Sequence, residues 1–372
     1  MQTPVRELLG VDFPIVAFTH CRDVAAAVSK AGGLGVLGVT GHTPELLETE
    51  LNWIEREIGD RPYGVDILVP ARFVGKEEGG LDSERMDALI PREHRGFVEA
   101  LLQEHGVPPL PPDTRPRRDL SFENQHQREL VEVAFSHRIR LVANALGPPP
   151  DWMIERGHEQ GVVVAALAGT AEHARRHVEA GADLVVAQGY EAGGHTGELA
   201  TMVLVPEVVD AVTPVPVLAA GGIGTGRQIA ASLALGAQGV WTGSVWLTTE
   251  EAETHPVVKR KFLEATSSDT VRSRSRTGKP ARQLRSAWTD AWEDPANPDP
   301  LGLPVQTVLI REAWQRIEHM AHKSPGAEKL INYFVGQIVG SMNDVRSTRS
   351  VIEEMVQEYF DTIERLDAWS QP

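Results

Sequence analysis

Ala187-Gln188-Gly189-Tyr190-Glu191-Ala192-Gly193-Gly194-His195-Thr196-Gly197 decides how this chain is read. The stretch follows directly on the apolar run 184–187, which reads as a buried strand. A glycine-loaded loop leaving such a strand lets a flat ligand or an anion lie close to backbone N–H groups. It also sets one titratable imidazole, His195, beside that surface. Two later stretches have the same strand-then-glycine form. They are Val217-Leu218-Ala219-Ala220-Gly221-Gly222-Ile223 and Gly239-Val240-Trp241-Thr242-Gly243-Ser244. The three read together as one site.

Outward from there, short apolar runs recur at 13–18, 34–39, 63–69, 140–145, 161–167, 183–188, 216–219 and 239–242. Helical patterns lie between most of them, at 23–31, 43–58, 126–136, 151–159, 170–180, 203–212 and 225–235. Local chemistry marks the ends. Thr43 and Thr170 are N-caps, Pro44 takes a first helical position, and Gly59 and Gly181 stop helices. Continuous apolar strands alternating with helices predict a parallel sheet covered on both faces. Eight such units predict an α/β fold of the closed (β/α)8 barrel type.

Two segments depart from the alternation. Residues 70–125 form a long insertion after the third strand, with a proline cluster at 108–112 and a helix expected near 91–105. A loop of that length inside a domain is a functional lid or a solvated decoration, and both readings stand here. Residues 253–372 form a mainly helical extension of the 1–252 barrel. Within it, 351–369 carries helical apolar spacing at Ile352, Met355, Val356, Tyr359, Phe360 and Ile363, expected to pack on the barrel.

Composition narrows the function. With 36 basic and 52 acidic residues the net charge is −16, which argues against nucleic acid or an anionic membrane as partner. No apolar run approaches the ~20 residues that span a bilayer, and no signal peptide is read at the N-terminus. The single cysteine, Cys21, excludes an intrachain disulfide and suits a reducing, cytoplasmic setting. Cys21 reads as a buried spectator. No metal site is read, and a homo-oligomer is left open.

In (β/α)8 barrels the loops at the C-terminal strand ends make the active site, and a phosphate commonly binds after strands seven and eight. Gly221 and Gly222 follow the seventh strand here, and Gly243 and Ser244 follow Thr242 on the eighth. Thr225, opening a helix, is expected to add free N–H groups. The phosphate belongs either to a small substrate or to FMN. FMN needs a long groove reaching strand one, where backbone at Ala17, Phe18 and Thr19 can lie against a flavin ring and Gln188 can bond its edge. Gly189, Gly193 and Gly194 would let it approach. His195 is the candidate base, since an imidazole accepts protons near neutral pH. Glu191 either orients the loop toward a ligand or caps a backbone turn.

Gln188-Gly189-x-Glu191-Ala192-Gly193-Gly194-His195-x-Gly197, with Ala219 to Ile223 and Gly243-Ser244, resembles the nitronate monooxygenases, formerly 2-nitropropane dioxygenases. The likeness covers about 13–247 and extends loosely to Thr277-Gly278-Lys279-Pro280-Ala281-Arg282 and Gly336-Gln337. It implies a TIM barrel holding FMN non-covalently, with His195 catalytic. It implies oxidation of alkyl nitronates by dioxygen to a carbonyl compound and nitrite, with the histidine as base when the substrate is a neutral nitroalkane. The chain departs from the pattern at Ala17-Phe18-Thr19, where Pro-Met is usual, and at Asp66, where an asparagine often faces the flavin. The long 70–125 insertion is a third departure. Two alternatives share these motifs: an FMN-dependent NAD(P)H reductase of the enoyl-thioester type, and a non-catalytic flavin- or phosphate-binding barrel.

Overall fold

Eight strands close into a parallel barrel in the computed structural model, which describes residues 1–69, 83–114 and 124–370. They are β1 (Ile15–Thr19), β2 (Leu34–Gly38), β3 (Tyr63–Asp66), β4 (Leu141–Asn144), β5 (Val163–Ala168), β6 (Leu184–Gln188), β8 (Val217–Ala220) and β9 (Gly239–Thr242). β9 pairs back onto β1, with Val16 opposite Trp241. All eight expected strands are therefore present, and the expected fold class holds. A two-residue strand, β7 (Gly194–His195), lies outside the barrel between β6 and β8.

Strand alternation sorts the side chains into an interior and a shell. Val16, Val36, Leu141, Ala143, Val163, Ala165, Leu184, Val186, Leu218 and Trp241 form one interior cluster. Val5 and Leu9 of the helix Pro4–Leu9 join the same cluster. The intervening residues face the surrounding helices: Tyr63, Val65 and Val142 on one side of the shell, Ile15, Ala17, Val185 and Val240 on the other. A parallel strand needs apolar residues on both faces, which is why these runs show no polar alternation.

The extension is more than helical. β10 (Thr270–Ser273) and β11 (Ala281–Leu284) pair antiparallel, and β11 continues onto β7, with Ala281 opposite His195 and Arg282 opposite Gly194. A second apolar core lies here, with Phe262, Trp288, Trp292, Trp314 and Ile317. Part of the insertion is built into it: Val98, Leu101 and Leu102 of the helix Arg92–Glu104 are members. Arg316 donates to the carbonyls of Val107 and Pro108 (both 2.9 Å) and to Glu99 (2.7 Å). This half of the insertion is therefore anchored rather than a solvated decoration. The lid reading for 70–82 and 115–123 lies outside the described residues.

The last helix, Thr348–Ser370, corrects one expectation. Val351, Ile352 and Met355 pack into the barrel shell, but Phe360 and Ile363 are 49% and 41% exposed. The helix outruns the surface it lies on, although its apolar spacing continues. Where it does pack, contact is close: a Cβ on Gly226 would meet Met355 O and Tyr359 N at 2.3 Å. No described helix is long and apolar enough to cross a membrane.

Candidate active site

Strand period two divides the expected site residues at the barrel mouth. On β3, Tyr63 and Val65 face the shell, so Asp66 points into the mouth. On β6, Leu184 and Val186 are interior, so Gln188 points inward too. Phe18 joins the interior cluster as β1's uppermost inward side chain and stacks on Trp241 at 6.3 Å. Gly38 makes room for it, since a Cβ there would lie 2.7 Å from the Phe18 ring. Phe18, Asp66, Gln188 and Leu167 thus form the upper inward layer.

Ala17, Thr19 and Thr242 point the other way. Ala17 belongs to the shell cluster, and Thr19 Oγ1 accepts from Cys21 N–H (3.1 Å). Thr242 Oγ1 donates to Val16 O (2.9 Å). Only the backbone of these three faces the mouth.

The glycine turns after β8 and β9 present open donors. Gly221 and Gly222 have φ of 108° and 69°, the left-handed region that favours glycine. Among the described residues, the N–H groups of Gly222, Ile223 and Gly243 take no acceptor. Gln228 Nε2 donates to Gly222 O and so orients this peptide. Ser244 Oγ accepts from Gly336 N–H (2.8 Å), which leaves its proton available. Orphan amides of this kind fit a phosphate. The expectation at Thr225 fails. The N–H groups of Gly224 and Thr225 bond Gln228 Oε1 in a capping box, and Gly226 N–H bonds Glu358 (2.7 Å). Most N–H groups of that helix end are already taken, and a carboxylate beside it repels an anion.

The loop after β6 is held by protein on several sides. Glu191 resolves as a cap: its Oε2 accepts from Thr201 N–H (2.9 Å) and Oγ1–H (2.8 Å) at the start of the helix Thr201–Val212. Gly189 and Gly193 are packed closely against neighbouring segments. A Cβ on Gly189 would meet Thr201 Oγ1 at 2.1 Å, and one on Gly193 would meet Gly336 N at 2.8 Å. A Cβ on Gly194 would meet nothing within 4 Å. Arg282, only 2% exposed, donates to Tyr190 O (3.0 Å) and lies 4.3 Å from the Tyr190 ring centre.

His195 is half-buried, and its Nε2 lies 2.8 Å from Thr277 Oγ1 of the extension. Burial, with the nearby Lys279 cation as the lesser cause, lowers its pKa from 6.5 to about 4. Asp66 shifts the opposite way. It is 6% exposed, and burial alone raises its pKa from 3.8 to about 7. Between those values both groups are neutral.

Thr277 and Gly336 are the site-forming residues that composition and strand pattern did not reveal. Their sequence signal is the loose family likeness at 277–282 and 336–337, and Thr277 also lies in a basic run, Arg272, Arg274, Arg276, Lys279, Arg282 and Arg285, uninterrupted by acid in an acidic chain. Cys21 is buried, donates to Glu251 O (3.3 Å), and has its pKa raised by burial.

Comparison with known proteins places this geometry. The family model described as nitronate monooxygenase matches residues 3–358. A protein of Mycobacterium tuberculosis named "Putative monooxygenase Rv1533" is 60% identical, over 100% of both chains. The solved nitroalkane oxidase of Streptomyces ansochromogenes superposes with a TM-score of 0.79 at 26% identity, covering 97% of this chain and 99% of its own. FabK of Thermotoga maritima superposes with a TM-score of 0.71 at 27% identity, covering 99% of each chain.

Proposed function

Because the chain belongs to the nitronate monooxygenase family, an oxidoreductase family, we propose that it binds FMN and oxidises alkyl nitronates with dioxygen. The observation that carries this reading is the pairing of orphan amides after β8 and β9 with a neutral imidazole after β6. FMN, when bound, would supply the redox chemistry between a nitronate and dioxygen, with a carbonyl compound and nitrite as products. The N–H groups of Gly222, Ile223 and Gly243 and the Ser244 hydroxyl would hold its phosphate. Gln188, Gly194 and the inward layer of Phe18 and Asp66 would line its ring system, with backbone of Ala17 and Thr19 at the β1 edge.

The floor fits an uncharged or electron-rich ring. Below about pH 7 Asp66 is a neutral acid, shaped like the asparagine common at this position, and it can donate a hydrogen bond. An ionised carboxylate there would repel a reduced, anionic flavin.

His195 bears on substrate choice. With a pKa of about 4 it stands in its base form across the neutral range, but it is a weak base. A nitronate arrives already deprotonated and needs no base. A neutral nitroalkane must first give its α-proton to His195. The reading therefore favours nitronates over nitroalkanes.

Anaerobic stopped-flow spectroscopy of the purified protein tests this. Propionate 3-nitronate is expected to remove the flavin's yellow absorbance rapidly, the neutral nitroalkane slowly, and NADH or NADPH not at all. Loss with the nicotinamides alone would move the assignment to the enoyl-thioester type of reductase. A colourless protein that stays colourless with added FMN would overturn the cofactor.

A further inference from the structure

Thr277 Oγ1 has three neighbours: His195 Nε2 at 2.8 Å, Lys279 O at 3.2 Å and Lys279 N at 3.3 Å. A hydroxyl has one proton to donate and two lone pairs to accept with. The Lys279 N–H can only donate, and the Lys279 carbonyl can only accept. Two arrangements remain. If the Thr277 proton goes to Lys279 O, the hydroxyl accepts from both Lys279 N–H and a His195 Nε2–H, and all three contacts are hydrogen bonds. If it goes instead to His195 Nε2, the bond from Thr277 to Lys279 O is lost, and His195 Nδ1 must carry a proton. Nδ1 has no acceptor among the described residues. The first arrangement keeps three bonds and the second keeps two.

We propose that Thr277 fixes His195 in the Nε2–H tautomer and leaves Nδ1 as the atom that takes the substrate proton. Thr277 is then a positioning residue supplied by the extension, acting through His195. The backbone pairing of β7 with β11 fixes the position of His195 relative to the extension, and the hydroxyl fixes its ring. In the step this serves, the C–H bond next to the nitro group breaks. Its electron pair passes into the nitro group to give the nitronate, and the proton bonds to Nδ1. Nε2–H stays on Thr277 throughout. The inference rests on the reading of His195 as the base.

The test is nitrogen NMR of the flavin-loaded protein carrying ¹⁵N-histidine, with the His195 signals identified by their absence in His195→Asn. Near pH 7.5 the expected state is neutral with the proton on Nε2. Thr277→Ser should keep that tautomer. Thr277→Val should mix the two tautomers and slow turnover of a neutral nitroalkane by about tenfold more than turnover of its preformed nitronate, the size of one lost hydrogen bond. Proton on Nδ1 in the unaltered protein, or an unchanged tautomer in Thr277→Val, would overturn the assignment. Failure of the underlying reading has a separate signature: His195→Asn would then leave nitroalkane turnover intact, whatever the tautomer.

Discussion

Asp66 and His195 border the same barrel mouth, yet they are held in opposite ways. Asp66 ends a barrel strand, buried, with no charged group entering its shift. His195 sits on a strand that belongs to no barrel pair, tied to β11 by backbone and to Thr277 by its ring. Burial drives the first pKa up and the second down, because in each case it penalises the charged form. The barrel side is a rigid floor. The β7 side is a wall assembled from two distant parts of the chain.

The largest expected effect breaks the wall. His195→Asn should retain FMN yet lose about 10²–10⁴-fold in rate on neutral nitroalkanes, the range for a general base, with a much smaller loss on preformed nitronates. Steady-state rates on both substrates decide it, and equal losses would leave His195 a positioning role alone. The next effect concerns the floor. Asp66 has a folded pKa above its unfolded one, so it lowers stability increasingly as pH rises from 3.8 to about 7, and fully above that. Asp66→Asn should therefore stabilise the flavin-free protein at pH 8 by on the order of 2–4 kcal/mol and leave it unchanged at pH 3. Urea unfolding at the two pH values checks this, and an equal gain at both would remove the titration from the explanation. The smallest effect tests the joint between wall and extension. Gly193→Ala drives a methyl group against Gly336 N and the Val335 backbone, and should cost on the order of 1–3 kcal/mol by overpacking. Thermal unfolding measures that, and no loss would mean that the extension yields freely.

Much of the barrel side was readable beforehand because its causes are local. A short, mainly apolar run between helical patterns is a buried parallel strand, as in β1 to β6, β8 and β9, and a glycine directly after β5, β6, β8 and β9 marks the strand's exit. The same pattern located His195, Gln188 and the glycine turns. It misled at Thr225, where Gln228 and Glu358 take the N–H groups that looked free. It did not show the close neighbours of Gly189 and Gly193, residues 201 and 336.

By itself, then, the sequence determined the barrel, the strand ends that carry the candidate site and the place of His195 beside it, since strand period and glycine turns are properties of adjacent residues. Only the tertiary structure decided that Ala17 and Thr242 face outward while Asp66 faces in, that Glu191 caps a helix, and that Thr277 meets His195 across 82 residues of chain. Hydrogen-bond partners and desolvation depend on which distant segments share a volume. No window of neighbouring residues contains that information.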